Sequence, residues 1–353
     1  MEDLMSNKKM TAAVFHQPED IRIETVLIPE ITENEMLLAV RAAAICGTDV
    51  RIIKGRKTRG VRPQSIIGHE ISGELVQVGT KVKGFKRGDR VIVAPVIACG
   101  QCYYCKNGMP NVCLNRTAFG YEYDGGFAQY MRIPARAIAA GNVIHLPPSI
   151  SFEEGCVIEP LSCCVRSHRI MSQQPAEKVL IVGAGPIGLM HLKLLRLAGA
   201  GRIMVSEPNQ QRRAFAQKMG ADRVIDPLAA NLMDLINEET EGLGVDKVIL
   251  ASSLPHIVPE LMRTLRKGGQ LCLFAGLGER VDQFDLDLIH YNELSVLGTS
   301  ASAVADFHTA IKYLSEDGLS LRDIITHHFP IQDFDKALAN VLAGRGLKTI
   351  ITF

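Results

Sequence analysis

The sequence has little charge of either sign to spare. Its 353 residues hold 39 lysines and arginines against 38 acidic residues, a formal net charge of +1. A chain so balanced gives no electrostatic case for nucleic acid or for an anionic membrane as a partner. Long apolar runs are missing as well. None approaches the length of a membrane-spanning helix. The first residues, MEDLMSNKK, contain no apolar h-region, so no secretory signal is expected. There is no internal repeat and no low-complexity segment. What is present is length enough for two domains, and nine cysteines. Their clustering suits metal binding in a reducing compartment better than a disulfide framework, which makes the cytoplasm the expected location.

The stretch from Lys178 to Glu207 organises the rest. The apolar run Val179-Leu180-Ile181-Val182 suits a strand buried on both faces of a parallel sheet. Gly183, Gly185 and Gly188 follow at G-x-G-x-x-G spacing, with Pro186 and Ile187 between them. Apolar residues then recur at helical intervals to Leu197, and Ile203-Met204-Val205 reads as a second strand. The glycines allow a tight turn, close approach of backbone to a pyrophosphate, and close packing of helix on strand. The pyrophosphate would sit at the helix N-terminus, where free N–H groups and the dipole favour an anion. Glu207, nineteen residues beyond Gly188, is placed to accept from a ribose 2′-hydroxyl, which favours NAD over NADP. Arg212 and Arg213 complicate this, because an arginine can hold a 2′-phosphate.

Residues 10–150 read as short strands separated by turns: Thr11–Phe15, Ile21–Thr25, Met36–Ala44, Ile71–Val78 and Arg90–Ala94, the pattern of a β-rich, barrel-like domain. Ser151 suits a helix N-cap, and a helix is expected after Pro160. Beyond Glu207, helices at 212–219, 231–239 and 257–265, the last stopped near Gly268-Gly269, alternate with strands at 223–225, 247–251, 270–274 and 294–297. That alternation implies a six-stranded, doubly wound sheet. The tail holds two helical segments, 305–314 and 333–343. It ends in an apolar run, Thr349–Phe353, suited to a strand that returns to the first domain. His327-His328 is expected to cap or end a surface segment, Cys163-Cys164 to sit in core, and the run Lys54, Arg56, Lys57, Arg59, Arg62 to form a solvated loop or to attract an anionic substrate.

Cys99, Cys102, Cys105 and Cys113 form C-x2-C-x2-C-x7-C, four thiolates that suit a closed tetrahedral zinc site. The rival for four thiolates is an iron–sulfur cluster, but this spacing matches neither of the usual ferredoxin runs. A second set is scattered: Cys46 in Cys-Gly-Thr-Asp, His69-Glu70 after Gly68, and Glu159 before Pro160. A thiolate, an imidazole and carboxylates suit a catalytic zinc with one exchangeable position, able to polarise an alcohol oxygen.

Taken in order, Cys46-Gly-Thr-Asp49, Gly68-His-Glu70, the four-cysteine loop, Glu159-Pro-Leu161 and Gly183-Ala-Gly-Pro-Ile-Gly188 resemble the zinc-dependent medium-chain alcohol dehydrogenases, and within them the polyol dehydrogenase branch. The resemblance spans essentially the whole chain. It implies an α/β protein: a GroES-like β-barrel catalytic domain at 1–157, completed by 299–353, and a Rossmann doubly wound parallel sheet domain at 158–298, with the active site in the cleft. By the same resemblance Cys46, His69 and Glu70 would be catalytic zinc ligands, and Glu159 a fourth ligand or the holder of the zinc-bound water. Thr48 would pass on the alcohol proton, and Asp49 would orient the zinc histidine. Arg212 would lie against the adenosine end, with Ala275-Gly276-Leu277 and Thr299-Ser300 near the nicotinamide. Arg51 stands where many relatives place a relay histidine, and an arginine cannot deprotonate there. The aromatic and arginine side chains that sorbitol dehydrogenases use on substrate are not evident near Ile52 or after Ser300. The expected activity is oxidation of a secondary hydroxyl of a polyol or sugar alcohol, phosphorylated or not, with NAD and two zinc ions, one catalytic and one structural. A homodimer or homotetramer is implied. The alternatives are a threonine-type amino-alcohol dehydrogenase and, in another class, a non-catalytic redox sensor that binds nucleotide and structural zinc only.

Overall fold

A computed structural model describes residues 8–278 and 285–353. The N-terminal stretch read above for a signal lies, up to Asn7, outside the described residues. The chain divides into two compact units: residues up to Ser162 together with Ala301–Phe353, and Cys163–Ser300.

The first unit is β-rich. Its central strand, Met36–Ala44, is buried at every position but Arg41. That accounts for its nearly unbroken apolar sequence, because side chains on both faces of the strand are covered. On one edge it pairs antiparallel with Glu70–Val78; on the other it pairs with the terminal strand Lys348–Thr352 at one end and with Tyr130–Ile133 at the other. The sheet runs Val143–His145, Arg90–Val93, Glu70–Val78, Met36–Ala44, Lys348–Thr352, Ile325–Pro330. A separate three-stranded sheet holds Asp20–Leu27, Lys9–Gln17 and Ser65–Ile66. The terminal strand thus lies between two others, in the first unit. His327 and His328 lie inside the edge strand Ile325–Pro330, not at the end of a segment as expected. Strand pairing to Lys348–Thr352 outweighs the weak local propensity of the histidine pair.

The second unit carries six parallel strands in the order Arg223–Ile225, Arg202–Ser206, Lys178–Val182, Val245–Leu250, Leu265–Leu273, Ser295–Gly298. This is the 3-2-1-4-5-6 order of a doubly wound nucleotide-binding sheet. Its central strands are short and apolar, with Val179–Val182, Ile203–Ser206 and Lys247–Leu250 buried throughout, as in a sheet covered on both faces. Two expectations need correction. The helix expected after Pro160 begins at Ile158, so Pro160 occupies the first turn, where its missing N–H is no loss. The helix expected over 257–265 is shorter, Val258–Arg263, and Leu265 opens a strand that runs through Gly268-Gly269 to Leu273. Val245 pairs with Leu265 and Lys247–Leu250 with Gln270–Leu273, and the register shift between them leaves Gly268-Gly269 in an unpaired bulge. No helix among the described residues is long and apolar enough to cross a membrane.

Candidate active site and metal centres

In the first unit, Gly68 has φ +94, and a Cβ there would press on the Phe127 ring at 2.8 Å. The turn it makes delivers His69, which is buried, to Cys46 at the head of the short helix Gly47–Ile53. Asp49, in that helix's first turn and fully buried, holds both. Its Oδ2 accepts the Cys46 N–H at 2.9 Å, and its Oδ1 lies 3.1 Å from His69 Nδ1. With Nδ1 so engaged, Nε2 remains for a metal, the arrangement that fixes a ligating histidine's tautomer. Cys46, His69 and Glu70 each offer one donor atom within 4.8 Å of the others. Thr48 is the second residue of the helix and half-buried.

Glu70 brings a partner that the sequence did not point to. Both its carboxylate oxygens accept from Lys348 Nζ, and both residues are buried. Lys348 opens the terminal strand, and the carbonyl of the next residue, Thr349, accepts the Ile45 N–H at 3.0 Å, one residue before Cys46. As a zinc ligand, Glu70 would have to share or leave that ammonium. The one sequence signal was a lysine heading an otherwise apolar terminal run.

Glu159 is not in the close donor group. Burial pushes its carboxyl up to about 7, with Glu70 and Asp49 adding to the effect and His69 and Lys348 opposing it. His69 is held well above the usual histidine range: burial opposes its charge, but Asp49 and Cys46 outweigh burial. Glu70, Cys46 and Glu159 act on the buried ammonium of Lys348, and Asp49 and Cys46 on the imidazole of His69. The donor atoms of Cys46, His69 and Glu70 converge on one point, and as thiolate, imidazole and carboxylate they are zinc's preferred donors. The residues fit zinc.

Of the polar loop Tyr121–Asp124, Tyr121 faces this set. Its ring centroid lies 6.0 Å from that of His69, and burial pushes its hydroxyl up to about 12. Glu122 instead accepts the Ala118 N–H at 2.9 Å, and Asp124 pairs with Arg62 at 2.8 Å.

The four-cysteine loop is closed at its base by the paired strands Val96–Ile97 and Thr117–Ala118. Cys102–Cys105, Cys102–Cys113 and Cys99–Cys105 sulfurs are 3.5, 3.8 and 4.0 Å apart. Zinc bound to sulfur at about 2.3 Å places tetrahedral sulfurs about 3.8 Å apart. A disulfide needs about 2.05 Å, and all nine cysteines are free. Backbone N–H groups point at the sulfurs, Cys99 and Asn115 at Cys113 and Cys102 at Cys99, and such bonds lower Cys99 to about 6. The loop fits a structural zinc.

In the second unit, Gly183 ends the first strand with φ +102, and Gly185 caps the helix Pro186–Leu197. A Cβ on Gly188 would fall on the Gly183 carbonyl oxygen, so only glycine lets the helix sit so close to the turn. Glu207 is buried at the end of Arg202–Ser206; its carboxylate accepts the Ala184 N–H at 2.8 Å and the Asn209 N–H at 2.9 Å. Each oxygen keeps a second lone pair for a ribose hydroxyl. Arg213 is occupied: it donates to the Glu207 and Pro208 carbonyls and pairs with Asp226 at 2.8 Å. Arg212 differs. Its Nε is buried with no partner among the described residues, and Nη1 stands 3.9 Å from where a Gly185 Cβ would be. Ser252 Oγ, which sequence reasoning missed, is equally unpartnered and borders Gly183. Ala275, Gly276 and Leu277 follow the strand Leu265–Leu273, and Thr299 and Ser300 follow its neighbour Ser295–Gly298. All these residues gather at the carboxyl ends of the strands, where doubly wound sheets bind ligands. Two orphaned donors beside a glycine turn fit a dinucleotide pyrophosphate.

A doubly wound nucleotide fold joined to a β-rich unit with one closed and one open zinc-type donor set defines a zinc-dependent alcohol dehydrogenase. Residues 32–148 match the model of the alcohol dehydrogenase GroES-like domain, and residues 186–316 that of the zinc-binding dehydrogenase. An L-threonine 3-dehydrogenase of Caldanaerobacter subterraneus subsp. tengcongensis is 34% identical over 351 residues, covering 97% of this chain and 98% of the relative. A D-arabitol-phosphate dehydrogenase of Enterococcus avium is 32% identical over 328 residues, covering 92% and 91%. A solved structure described as a short chain alcohol dehydrogenase from E. coli CFT073, complexed with NADH, superposes with TM-score 0.90 at 28% identity over 98% of this chain and 99% of that one. The chain belongs to the zinc-dependent medium-chain alcohol dehydrogenases, and it is an oxidoreductase.

Proposed function

We propose that this protein oxidises a secondary hydroxyl of a polyol or sugar alcohol to a ketone, with zinc and NAD. The observation that carries this reading is the converging set of half-buried Cys46 with buried His69 and Glu70, braced by Asp49, with the Glu159 carboxylate beside it. Cys46 and His69 would hold the catalytic zinc, with Glu70 or Glu159 as further ligand; Cys99, Cys102, Cys105 and Cys113 would hold the structural one. Bound zinc supplies Lewis acidity that eases loss of a hydroxyl proton, and bound NAD supplies the hydride acceptor. The chain's own residues do the rest. Asp49 fixes the His69 tautomer, and the Thr48 hydroxyl takes the proton onward. Arg51 cannot relay it, so the path runs from Thr48 to water and a carboxylate. Glu159 accepts from a hydroxyl next to the reacting one, which suits a polyol and serves a simple alcohol poorly. A site built to bond hydroxyls discriminates strongly against analogues that lack them.

NAD is expected over NADP. Glu207 would repel a 2′-phosphate, and Arg213 is bound to carbonyls and Asp226, which leaves Arg212 alone to favour one. Comparison of kcat/KM for the two cofactors checks this, and equal values or a preference for NADP would refute it. The substrate test is NADH appearance with sugar alcohols, their phosphates, aldoses, threonine and short primary alcohols. Best turnover on ethanol ends the polyol reading. Threonine is the second reading, supported by the 34% identical threonine dehydrogenase. Turnover on none of the panel would favour a nucleotide-binding sensor. A homodimer or homotetramer, on family resemblance, and a cytoplasmic location, on the clustered cysteines, complete the proposal.

A further inference from the structure

The basic run after the zinc helix does not form a uniform solvated loop. Lys54 and Arg62 are neutralised, by Glu19 at 3.4 Å and Asp124 at 2.8 Å. Lys57 is not. It is half-buried, and its ammonium sits over the Tyr121 ring, 5.1 Å from the centroid. No carboxylate among the described residues lies at salt-bridge distance from it. The charges that act on it most are the guanidinium groups of Arg116, Arg51 and Arg59, against Glu122 alone. Burial and these neighbours hold its pKa below the usual lysine value. Four cations from three segments therefore converge, with one exposed acid among them. Glu122 is also tied by the Ala118 N–H, and Arg116 by the Asn111 carbonyl at 3.0 Å, so the groups are held in place. Packing of the two loops is close: a Cβ on Gly60 would strike the Glu122 carboxylate.

Exposed arginine charges gathered about a half-buried ammonium raise the free energy of the empty state, and an anion relieves it. The cluster shares Tyr121 with the catalytic set. One side of that residue carries Lys57, and its ring lies 6.0 Å from the imidazole of His69. The groups acting most on Tyr121 are His69, Asp49, Cys46 and Glu159, whereas those acting most on Lys57 are the arginines and Glu122. Tyr121 thus adjoins both the cationic cluster and the catalytic set. The His69-to-Lys57 span is no more than the two separations, 6.0 and 5.1 Å, laid end to end, which a chain of several carbons bridges. We infer that Lys57, with Arg51, Arg59 and Arg116, forms a subsite for the terminal phosphate of a polyol phosphate whose hydroxyl is oxidised at the far end of the chain. The inference rests on the polyol reading above and narrows its substrate class.

Lys57→Met keeps the apolar stem over Tyr121 and removes the charge. A lost charge-assisted bond to phosphate should raise KM for a pentitol phosphate about tenfold or more. The unphosphorylated pentitol should keep its kcat/KM, and Lys57→Arg should restore much of the phosphate's affinity. Lys54→Met, already paired and outside the subsite, controls for the general field and should leave KM for the phosphate unchanged. Calorimetric titration of inorganic phosphate gives a readout apart from turnover: wild type should bind it, competitively with the pentitol phosphate, and Lys57→Met should not. If the unphosphorylated pentitol is the better substrate and Lys57→Met changes neither KM nor phosphate binding, the subsite is refuted while the polyol reading stands. If Lys54→Met raises KM as much as Lys57→Met, the effect is long-range charge and the subsite is refuted. If threonine alone is turned over, the polyol reading and the subsite fall together.

Discussion

Protein purified with zinc available is expected to contain two zinc ions per chain, and Cys46→Ser to remove one of them along with turnover. Both donor sets are preassembled. In the cysteine loop the sulfur spacings of 3.5, 3.8 and 4.0 Å bracket the tetrahedral edge. At the other site Cys46 supplies the only thiolate, and Asp49 ties its backbone to the His69 ring. The serine variant keeps that backbone bond but loses the sulfur donor, so the metal should go while the fold stays. NADH binding should persist, because the glycine turn, Glu207 and Arg212 all belong to the other unit. Cys102→Ser should act in the opposite sense. It removes a ligand from the loop whose structure depends on the metal, so zinc content should fall by one and the melting temperature should drop, with turnover per folded molecule less affected. Elemental analysis, NADH fluorescence and thermal melts check the set. A zinc content near one that Cys46→Ser leaves unchanged would show that the second set does not bind zinc.

Lys348→Met is expected to destabilise the protein by about 3–5 kcal/mol, because it leaves the Glu70 carboxylate buried without its cation. Glu70 is fully buried and Lys348 nearly so, and both carboxylate oxygens take their hydrogen bonds from that one ammonium. The pair need not stabilise the fold in total, since desolvating two charges offsets much of their attraction; what costs stability is breaking it. The double variant Glu70→Gln with Lys348→Met, which removes both charges, should therefore recover most of the loss. Chemical denaturation of the two single variants and the double one measures this coupling. A Lys348→Met variant within about 1 kcal/mol of wild type, with the double variant no better, would mean the pair is not the buried anchor described here. Turnover should also fall in Lys348→Met, since the freed carboxylate changes the charge balance around Cys46 and His69.

Much of the site could be read from the sequence where its parts are neighbours along the chain. The four cysteines lie within one loop, and the glycine turn, its helix and Glu207 within one strand–helix–strand unit, so local spacing constrains their geometry. Cys46, His69, Glu70 and Glu159 were legible as residue types that suit zinc, and as a set through family resemblance. Misreadings came where distant pairing outweighed local preference: Leu265, read as the end of a helix, pairs with Val245, and the histidine pair 327–328 is held by the terminal strand.

The sequence by itself determined the two-part α/β organisation, the cofactor fingerprint and the four-cysteine set, because periodicity and short-range motif spacing encode them directly; the scattered set Cys46, His69, Glu70 and Glu159 was joined only by family resemblance. Tertiary structure alone decided that Lys348 reaches Glu70 across 278 positions, that Arg213 is tied down while Arg212 is left with an orphaned donor, and that Lys57 lies over Tyr121 while Lys54 is paired with Glu19. A lone lysine or arginine has no periodicity to reveal it. Its partner is set by which strands and loops pack together, and so is whether its charge is neutralised or left for a ligand.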